Sequence, residues 1–178
     1  MHSGVVNVIV GIDSMILIYA GKVPRKQSPL SKKDAELSIR AKILLRELAE
    51  LKEKMTIILP AIAVAELLVP VPSGQKSQLL AELQRVFVCR PFDLPATVIA
   101  SELWSRYKEL PQDQQYENRD TLKSDAMIVA TAKAGGATDF YSHDARCRKM
   151  ASLVMVSHDL PKKGSTLFVE GEVRRGES

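Results

Sequence analysis

The sequence predicts a single α/β domain with a mainly parallel sheet of about five strands flanked by helices. Short β-branched runs alternate along the chain with longer stretches of helical periodicity, which is the pattern of a parallel sheet with crossover helices. The first run, VVNVIVGI at Val5–Ile12, is apolar almost throughout, as expected of a strand covered on both faces. At 178 residues, with 46% hydrophobic and 26% charged residues, the chain is sized and composed for one globular domain.

The first half of the chain begins with the Val5–Ile12 strand, which ends at Asp13 and precedes a short helix at Ser14–Ala20. A proline-containing loop then leads to Ser31, which can cap a long amphipathic helix. That helix covers Lys32–Lys54 and is followed by a strand at Thr56–Leu59, helices at Ala61–Leu68 and Gln75–Leu83, a strand at Val86–Cys89 and a helix at Pro95–Leu110.

The second half starts with a polar loop at Pro111–Asp120. An alanine-rich helix follows, opened by Asp125 and ended by Gly135–Gly136. The remaining predicted elements are strands at Thr138–Ser142 and Leu153–Ser157, a helix at Ala145–Ala151 and a short edge strand at Thr166–Val169. We predict that the domain covers residues 1–160 and that residues 161–178 form a basic C-terminal tail.

Charge and composition favour a cytoplasmic protein with a polyanionic partner. The net charge is +4, which fits a polyanion but is weak evidence alone. Cys89 and Cys147 are far apart in sequence and lack metal or redox spacing, as expected of reduced cysteines in a reducing compartment. The apolar stretch Val5–Ala20 is too short and too polar to span a bilayer, and it lacks the features of a signal peptide. We therefore expect no membrane association.

Four carboxylates stand beside small or apolar residues rather than on charged faces: Asp13, Glu66, Asp125 and Asp144. Asp13 ends the first strand and Asp144 ends the fourth, while the other two lie on helices. Ligands of open α/β sheets bind beyond the carboxyl ends of the strands, near a change in strand order. One edge of the sheet can therefore gather all four acids.

Acids gathered at one site require a counter-ion, because like charges raise each other's pKa values. Mg²⁺ and Mn²⁺ are hard ions that prefer oxygen ligands. Such ions activate water and stabilise a leaving oxygen, so the site predicts phosphoryl transfer at a phosphodiester bond of RNA or DNA.

Each acid also has a structural alternative. Asp125 and Asp144 can cap their helices, and Asp13 can be a turn residue. Glu66 is harder to explain in this way, because an unpaired charge in a buried segment is costly.

Basic residues flank the acids in sequence, and they can guide a phosphate backbone towards the metal. We single out Lys123, Arg146 and Arg148; the alternative is a solvated helix face. Aromatic residues make up only 5% of the chain, and no RNA-recognition motif is visible. Base stacking is therefore not predicted from composition.

At the four acids, the chain reads IDSMILIYA, LPAIAVAELL, SDAMIVATAKAGGA and TDFYSHDARCRKMA. In these motifs and their order, from Val5 to about Val156, the sequence resembles the PIN-domain ribonucleases, especially the VapC-like toxins of toxin–antitoxin modules. The resemblance implies a PIN-like domain over residues 1–160 and Mg²⁺- or Mn²⁺-dependent endoribonuclease activity on single-stranded RNA.

The resemblance also implies roles for individual residues and partners. Asp13, Asp125 and Asp144 match the metal-binding acids, Glu66 completes the catalytic set, and Ser142 matches a small hydroxyl residue that precedes the last acid. The implied partners are RNA, a small antitoxin protein and a second copy of the chain in a homodimer. Two alternatives stay open: a non-catalytic PIN-fold module that binds RNA or protein, and a metal-dependent nuclease directed at DNA or at structured RNA.

Overall fold

The computed structural model describes residues 8–23, 31–51, 54–109, 119–162, 168–169 and 172–173. Within these ranges the predicted fold class is confirmed: a five-stranded, all-parallel sheet is flanked by helices. The elements of the first half are β1 (Val8–Ile12), α1 (Ser14–Tyr19), α2 (Lys32–Glu50), β2 (Met55–Pro60), α3 (Ala61–Leu68), α4 (Ser73–Val86), β3 (Val88–Arg90) and α5 (Leu94–Lys108).

The second half completes the sheet and adds a small hairpin. Its elements are α6 (Arg119–Ala134), β4 (Asp139–Tyr141), α7 (Ala145–Ala151), β5 (Val156–His158), β6 (Phe168–Val169) and β7 (Glu172–Val173). Gly136 has φ +88°, a conformation that favours glycine, and it follows the end of α6 as predicted. Ser31 accepts a hydrogen bond from the Asp34 amide at 3.1 Å and so caps α2, also as predicted.

The strand order of the sheet is β3-β2-β1-β4-β5. From β1 the chain runs outward through β2 and β3, and then it returns to the other side of β1 to add β4 and β5. The order therefore reverses between β1 and β4, where Gly11 lies opposite Phe140 in the register. In open α/β sheets this reversal opens a crevice at the carboxyl ends of the two strands, which is where Asp13 and Ser142 lie.

The two faces of β4 show how helices cover the sheet. Phe140 and Tyr141 are successive residues of a strand, so their side chains point to opposite faces, and both are fully buried. A Cβ atom on Gly11 would meet Ala132 of α6 at 2.6 Å and Phe140 at 2.8 Å, so α6 packs on the Phe140 face. Burial raises the pKa of Tyr141, and the charges of Asp139 and of Glu47 on α2 raise it further, so Glu47 lies near the Tyr141 face.

Replacement of Gly11 by alanine is expected to destabilise the domain by about 1–3 kcal/mol, because the added methyl group overpacks the contact between β1 and α6. The measurement is the urea midpoint of unfolding. Gly74→Ala is the matched control, since a Cβ atom on Gly74 meets nothing within 4 Å. Equal midpoints for Gly11→Ala and the wild type would contradict this packing.

Several predicted boundaries are wrong or lie outside the described residues. Helix α2 ends at Glu50 rather than Lys54, Val86 belongs to α4 rather than to β3, and β5 begins at Val156 rather than Leu153. Asp125 does not open its helix: α6 begins at Arg119, so Asp125 lies in the second turn and does not cap the helix. Strand β6 pairs antiparallel with β7 in a separate two-stranded sheet, so it is not an edge strand of the main sheet. Most of the predicted loop at Pro111–Asp120 lies outside the described residues.

None of the helices described by the structure combines the length and apolar character needed to cross a membrane.

Candidate functional site

Asp13 occupies the end of β1, at the reversal of the strand order. It stands at the N-cap position of α1, yet its side chain makes no capping hydrogen bond. The carboxylate is 5% exposed and accepts a hydrogen bond from the Ser142 hydroxyl at 2.8 Å, with the Ser14 hydroxyl 3.2 Å from its other oxygen. The turn-residue alternative therefore does not account for where the side chain is directed.

The pKa of Asp13 is raised, chiefly because burial removes the carboxylate from water. The nearby charge of Glu66 raises it further, and the hydrogen bonds from Ser142 and Ser14 act in the opposite direction. In the absence of a cation, this site therefore disfavours the ionised form of Asp13.

Glu66 lies on the exposed side of α3, which buries Ala63, Val64 and Leu67 against the core. The expectation that Glu66 is buried among apolar residues is wrong, because helical geometry turns it away from the face that packs. Its two oxygens accept hydrogen bonds from the Ser14 hydroxyl at 2.7 Å and from the Ser124 hydroxyl at 2.8 Å. Ser14 therefore connects Glu66 to Asp13.

Asp144 has a structural role that the sequence left as an alternative. One of its oxygens, Oδ1, accepts hydrogen bonds from the amides of Arg146 at 2.7 Å and Cys147 at 3.1 Å, so Asp144 caps α7. Its own amide donates to the Ser142 hydroxyl at 3.0 Å. Because that hydroxyl also donates to Asp13, Ser142 links the loop after β4 to the loop after β1.

Asp125 lies half-buried on α6, next to Ser124, which contacts Glu66. Its position relative to the other aspartates is shown by Cys147, which is 1% exposed. Burial raises the pKa of this thiol well above its usual value, and the charges of Asp13, Asp125 and Asp144 each raise it further. The three aspartates are therefore near enough for their charges to act on one buried thiol, and Ser14 and Ser124 connect Glu66 to the same end of the sheet.

The donor set at this end of the sheet consists of hard oxygen ligands. No group of three His, Cys, Asp or Glu side chains among the described residues is close enough to hold a metal ion as the side chains stand. Mg²⁺ usually takes only one or two protein carboxylates, together with water and phosphate oxygens. Asp13 and Glu66 share the Ser14 hydroxyl, which has only one hydrogen to donate, and neither acid forms an ion pair within the described ranges. These residues therefore fit a hard divalent cation.

The three basic residues singled out from the sequence differ in their surroundings. Lys123 and Arg146 are exposed on α6 and α7. Arg148 is partly buried and donates to the backbone carbonyls of Ser142 at 3.0 Å and His143 at 2.7 Å. The guanidinium of Arg148 therefore holds the loop that carries Ser142.

Two hydroxyl residues that contact the acids were missed at the sequence level. Neither Ser14 nor Ser124 is among the residues predicted to belong to the site. Their contacts with Glu66 span 52 and 58 residues of sequence. The only available signal was that each serine is adjacent to one of the predicted acids, in Asp13–Ser14 and Ser124–Asp125.

Open α/β sheets bind their ligands at the reversal of the strand order, which in this chain lies between β1 and β4 and carries the acids described above. A family model described as the PIN domain matches residues 30–153, which is more than half of the chain. The chain belongs to the PIN domain family. Glu66, Asp125 and Asp144 lie within the matched residues, and Asp13 precedes them. No curated protein matches the chain.

Solved structures share the fold. One is VapBC-1 from nontypeable Haemophilus influenzae, with a TM-score of 0.59 and 15% identity over 86% of this chain and 98% of that chain. Another is VapBC2 from Rickettsia felis, bound to a DNA fragment from its promoter, with a TM-score of 0.55 and 16% identity over 85% of this chain and 98% of that chain. At these identities the similarity concerns the fold.

Proposed function

We propose that this protein is a metal-dependent endoribonuclease that hydrolyses phosphodiester bonds of single-stranded RNA, with the activity in residues 1–160. The observation that carries the proposal is the pair Asp13 and Glu66, joined through Ser14 at the strand-order reversal. A buried carboxylate with a raised pKa beside a second carboxylate is a costly arrangement for a structural role. Such costs are characteristic of functional sites.

We assign the metal ligands to Asp13, Asp125 and Asp144, with Glu66 completing the site as a ligand or by orienting water. When bound, Mg²⁺ or Mn²⁺ lowers the pKa of a coordinated water and stabilises charge on the leaving oxygen. Oδ1 of Asp144 already accepts the two capping hydrogen bonds, so Oδ2 is the oxygen assigned to the metal.

The hydroxyl groups hold the acids in place. Ser142 fixes Asp13 and the Asp144 backbone, and Ser14 and Ser124 fix the two oxygens of Glu66. Hydrogen bonds of this kind hold the carboxylates in their orientations before the substrate binds. We assign Lys123 and Arg146 to the phosphate backbone of RNA, because both are exposed on helices that carry the acids. Arg148 is assigned a supporting role, because it donates to the backbone carbonyls of Ser142 and His143 and so holds the loop beside the acids.

We further infer that the protein is the toxin of a toxin–antitoxin module, with a small antitoxin protein as a partner, and that it forms a homodimer. The PIN family membership and the similarity of the fold to two VapBC structures support this assignment. Co-expression with the product of an adjacent short gene, followed by co-purification, tests the antitoxin. Light scattering tests the dimer.

The test of the activity is cleavage of a mixed single-stranded RNA by the full chain, in Mn²⁺ and in EDTA, with single-stranded DNA in parallel. We expect cleavage of RNA in Mn²⁺ and none in EDTA. If the protein binds RNA but is inert towards RNA and DNA at every Mn²⁺ concentration, the nuclease proposal is wrong and a binding module takes its place.

Replacement of Ser14 by alanine is expected to lower kcat by about tenfold to hundredfold, because a hydrogen bond to a charged group contributes about 1.5–3 kcal/mol. Ser14→Thr keeps the hydroxyl and is expected to restore most of the activity. Ser105→Ala is the matched control, since Ser105 is exposed and donates only to a helix carbonyl, that of Ser101. Equal kcat values for Ser14→Ala and the wild type would show that the bridge between Glu66 and Asp13 plays no part in catalysis.

A further inference from the structure

We propose that Tyr19 and His143 form an aromatic platform on which a base of single-stranded RNA stacks beside the acids. This inference rests on the proposed function, because it concerns how the same site holds its substrate. The two rings lie in edge-to-face contact, with centroids 5.7 Å apart and planes at 82°. Tyr19 ends helix α1 and His143 lies in the loop after β4, and both side chains are partly exposed.

The platform adjoins the proposed catalytic residues on both sides. His143 lies between Ser142, which donates to Asp13, and Asp144, which caps α7. Tyr19 is the last residue of α1, the helix that begins directly after Asp13. At 1.5 Å per residue, Tyr19 lies about 9 Å along the helix from Asp13. A base next to the scissile phosphate is therefore within reach of the rings.

The imidazole is held in a fixed orientation. Nδ1 of His143 lies 2.8 Å from Oδ1 of Asp159, and Asp159 is itself contacted by Arg148 at 3.3 Å and by the Leu160 amide at 2.7 Å. Arg148 also donates to the His143 carbonyl. A ring fixed before binding loses little conformational freedom when a base stacks on it.

A second tyrosine–histidine pair shows what a structural pair looks like in this protein. Tyr141 and His158 stack with ring centroids 4.7 Å apart, and Tyr141 is fully buried. Nε2 of His158 lies 2.7 Å from Oδ1 of Asp139, and the side chains of His158 and Asp139 are each 10% exposed. That pair is covered by the fold. The His143 side chain is instead 26% exposed, and an edge-to-face pair leaves ring faces uncovered by its partner.

A nucleobase is the ligand that matches this combination. Bases of single-stranded RNA stack on exposed aromatic rings, and every base has a π face, so such a platform binds RNA with little sequence preference. Arg146 lies three residues after His143, near the start of α7, and is exposed. The positive charge of its guanidinium favours contact with a phosphate of the RNA. Base stacking and phosphate contact therefore meet at the same loop.

The test compares equilibrium binding of two probes by fluorescence anisotropy in EDTA: a labelled oligoadenylate and an abasic ribose-phosphate oligomer of equal length. We expect the wild type to bind oligoadenylate about tenfold to hundredfold more tightly than the abasic oligomer. In Tyr19→Leu and in His143→Ala this ratio should fall towards one, while Tyr19→Phe should keep it. Phe92→Leu is the matched control, because Phe92 is partly buried after β3, on the other side of β2 from β1.

Thermal unfolding of each variant establishes that it is folded, and Mn²⁺-dependent cleavage is measured separately. Cleavage by the wild type with equal ratios in all variants would overturn the platform and leave the nuclease intact. No cleavage but a ratio that depends on Tyr19 and His143 would overturn the nuclease and keep the platform. The absence of both cleavage and base-dependent binding would overturn both proposals.

Discussion

Replacement of Asp13 by asparagine is expected to lower Mn²⁺-dependent RNA cleavage by about 10³-fold without destabilising the protein. Activity falls because the proposed metal loses its most buried ligand, while the neutral side chain still accepts a hydrogen bond from Ser142 at the same place. Stability is retained or increased because asparagine removes a charge that burial and Glu66 both disfavour. The measurements are single-turnover cleavage rates and Tm in EDTA.

The pH dependence of this stability difference follows from the raised pKa of Asp13. Since the folded protein binds a proton at pH values where the unfolded chain is already ionised, Asp13 stabilises the fold most below 3.8, the usual pKa of an aspartate. That contribution is lost as the pH rises through the raised pKa. In EDTA, the Tm of Asp13→Asn should therefore exceed that of the wild type most at neutral pH, and the difference should shrink as the pH falls towards 3.8.

Glu102→Gln is the matched control for the loss of one negative charge, because Glu102 is exposed on α5. Glu102→Gln should have the cleavage rate of the wild type, and its Tm in EDTA should equal that of the wild type at each pH. An Asp13→Asn variant that cleaves RNA as fast as the wild type would refute the assigned role of Asp13, and one that is much less stable in EDTA would show that the carboxylate is structural.

Asp144 offers the second large effect, because its two roles can be separated by choice of substitution. Asparagine is also a good helix cap, but it is neutral, so Asp144→Asn should lower cleavage by about 10²-fold to 10³-fold and leave stability nearly unchanged. Asp144→Ala removes the cap as well, so it should lose the same activity and about 1 kcal/mol of stability. The measurements are cleavage rates and urea unfolding of the two variants.

The comparison of these two variants decides between the alternatives for Asp144. If Asp144→Asn keeps full activity and only Asp144→Ala is impaired, Asp144 serves as a cap alone. If both variants lose activity and only Asp144→Ala loses stability, the carboxylate has both the structural and the catalytic role.

Much of the fold was predictable from local patterns. The β-branched run ending at Asp13 forms β1, and the helix predicted at Ala61–Leu68 is α3 with the same bounds. The start of α6 was missed by six residues, because its first six residues read RDTLKS and show no apolar periodicity. The polar start of α6 therefore gave no helix signal. The helix is held by its C-terminal half, where Ala132 packs against Gly11 of β1.

The arrangement within the site was less accessible from sequence. The rule on strand ends placed Asp13 and Asp144 at the correct edge, but it gave no orientation for Glu66, which lies on the exposed side of its helix. The contacts of Ser14 and Ser124 with Glu66 depend on how α1, α3 and α6 pack together. The platform of Tyr19 and His143 could not be predicted from a low aromatic content, because only the fold brings the two rings into contact.

The most direct test of the central claim is Mn²⁺ binding by the full chain, measured by isothermal titration calorimetry in the absence of RNA. We predict saturable binding by the wild type and by Glu102→Gln, and binding weakened at least about tenfold in Asp13→Asn. Failure of the wild type to bind Mn²⁺, or equal affinity in Asp13→Asn, would contradict the assignment of these acids to a metal.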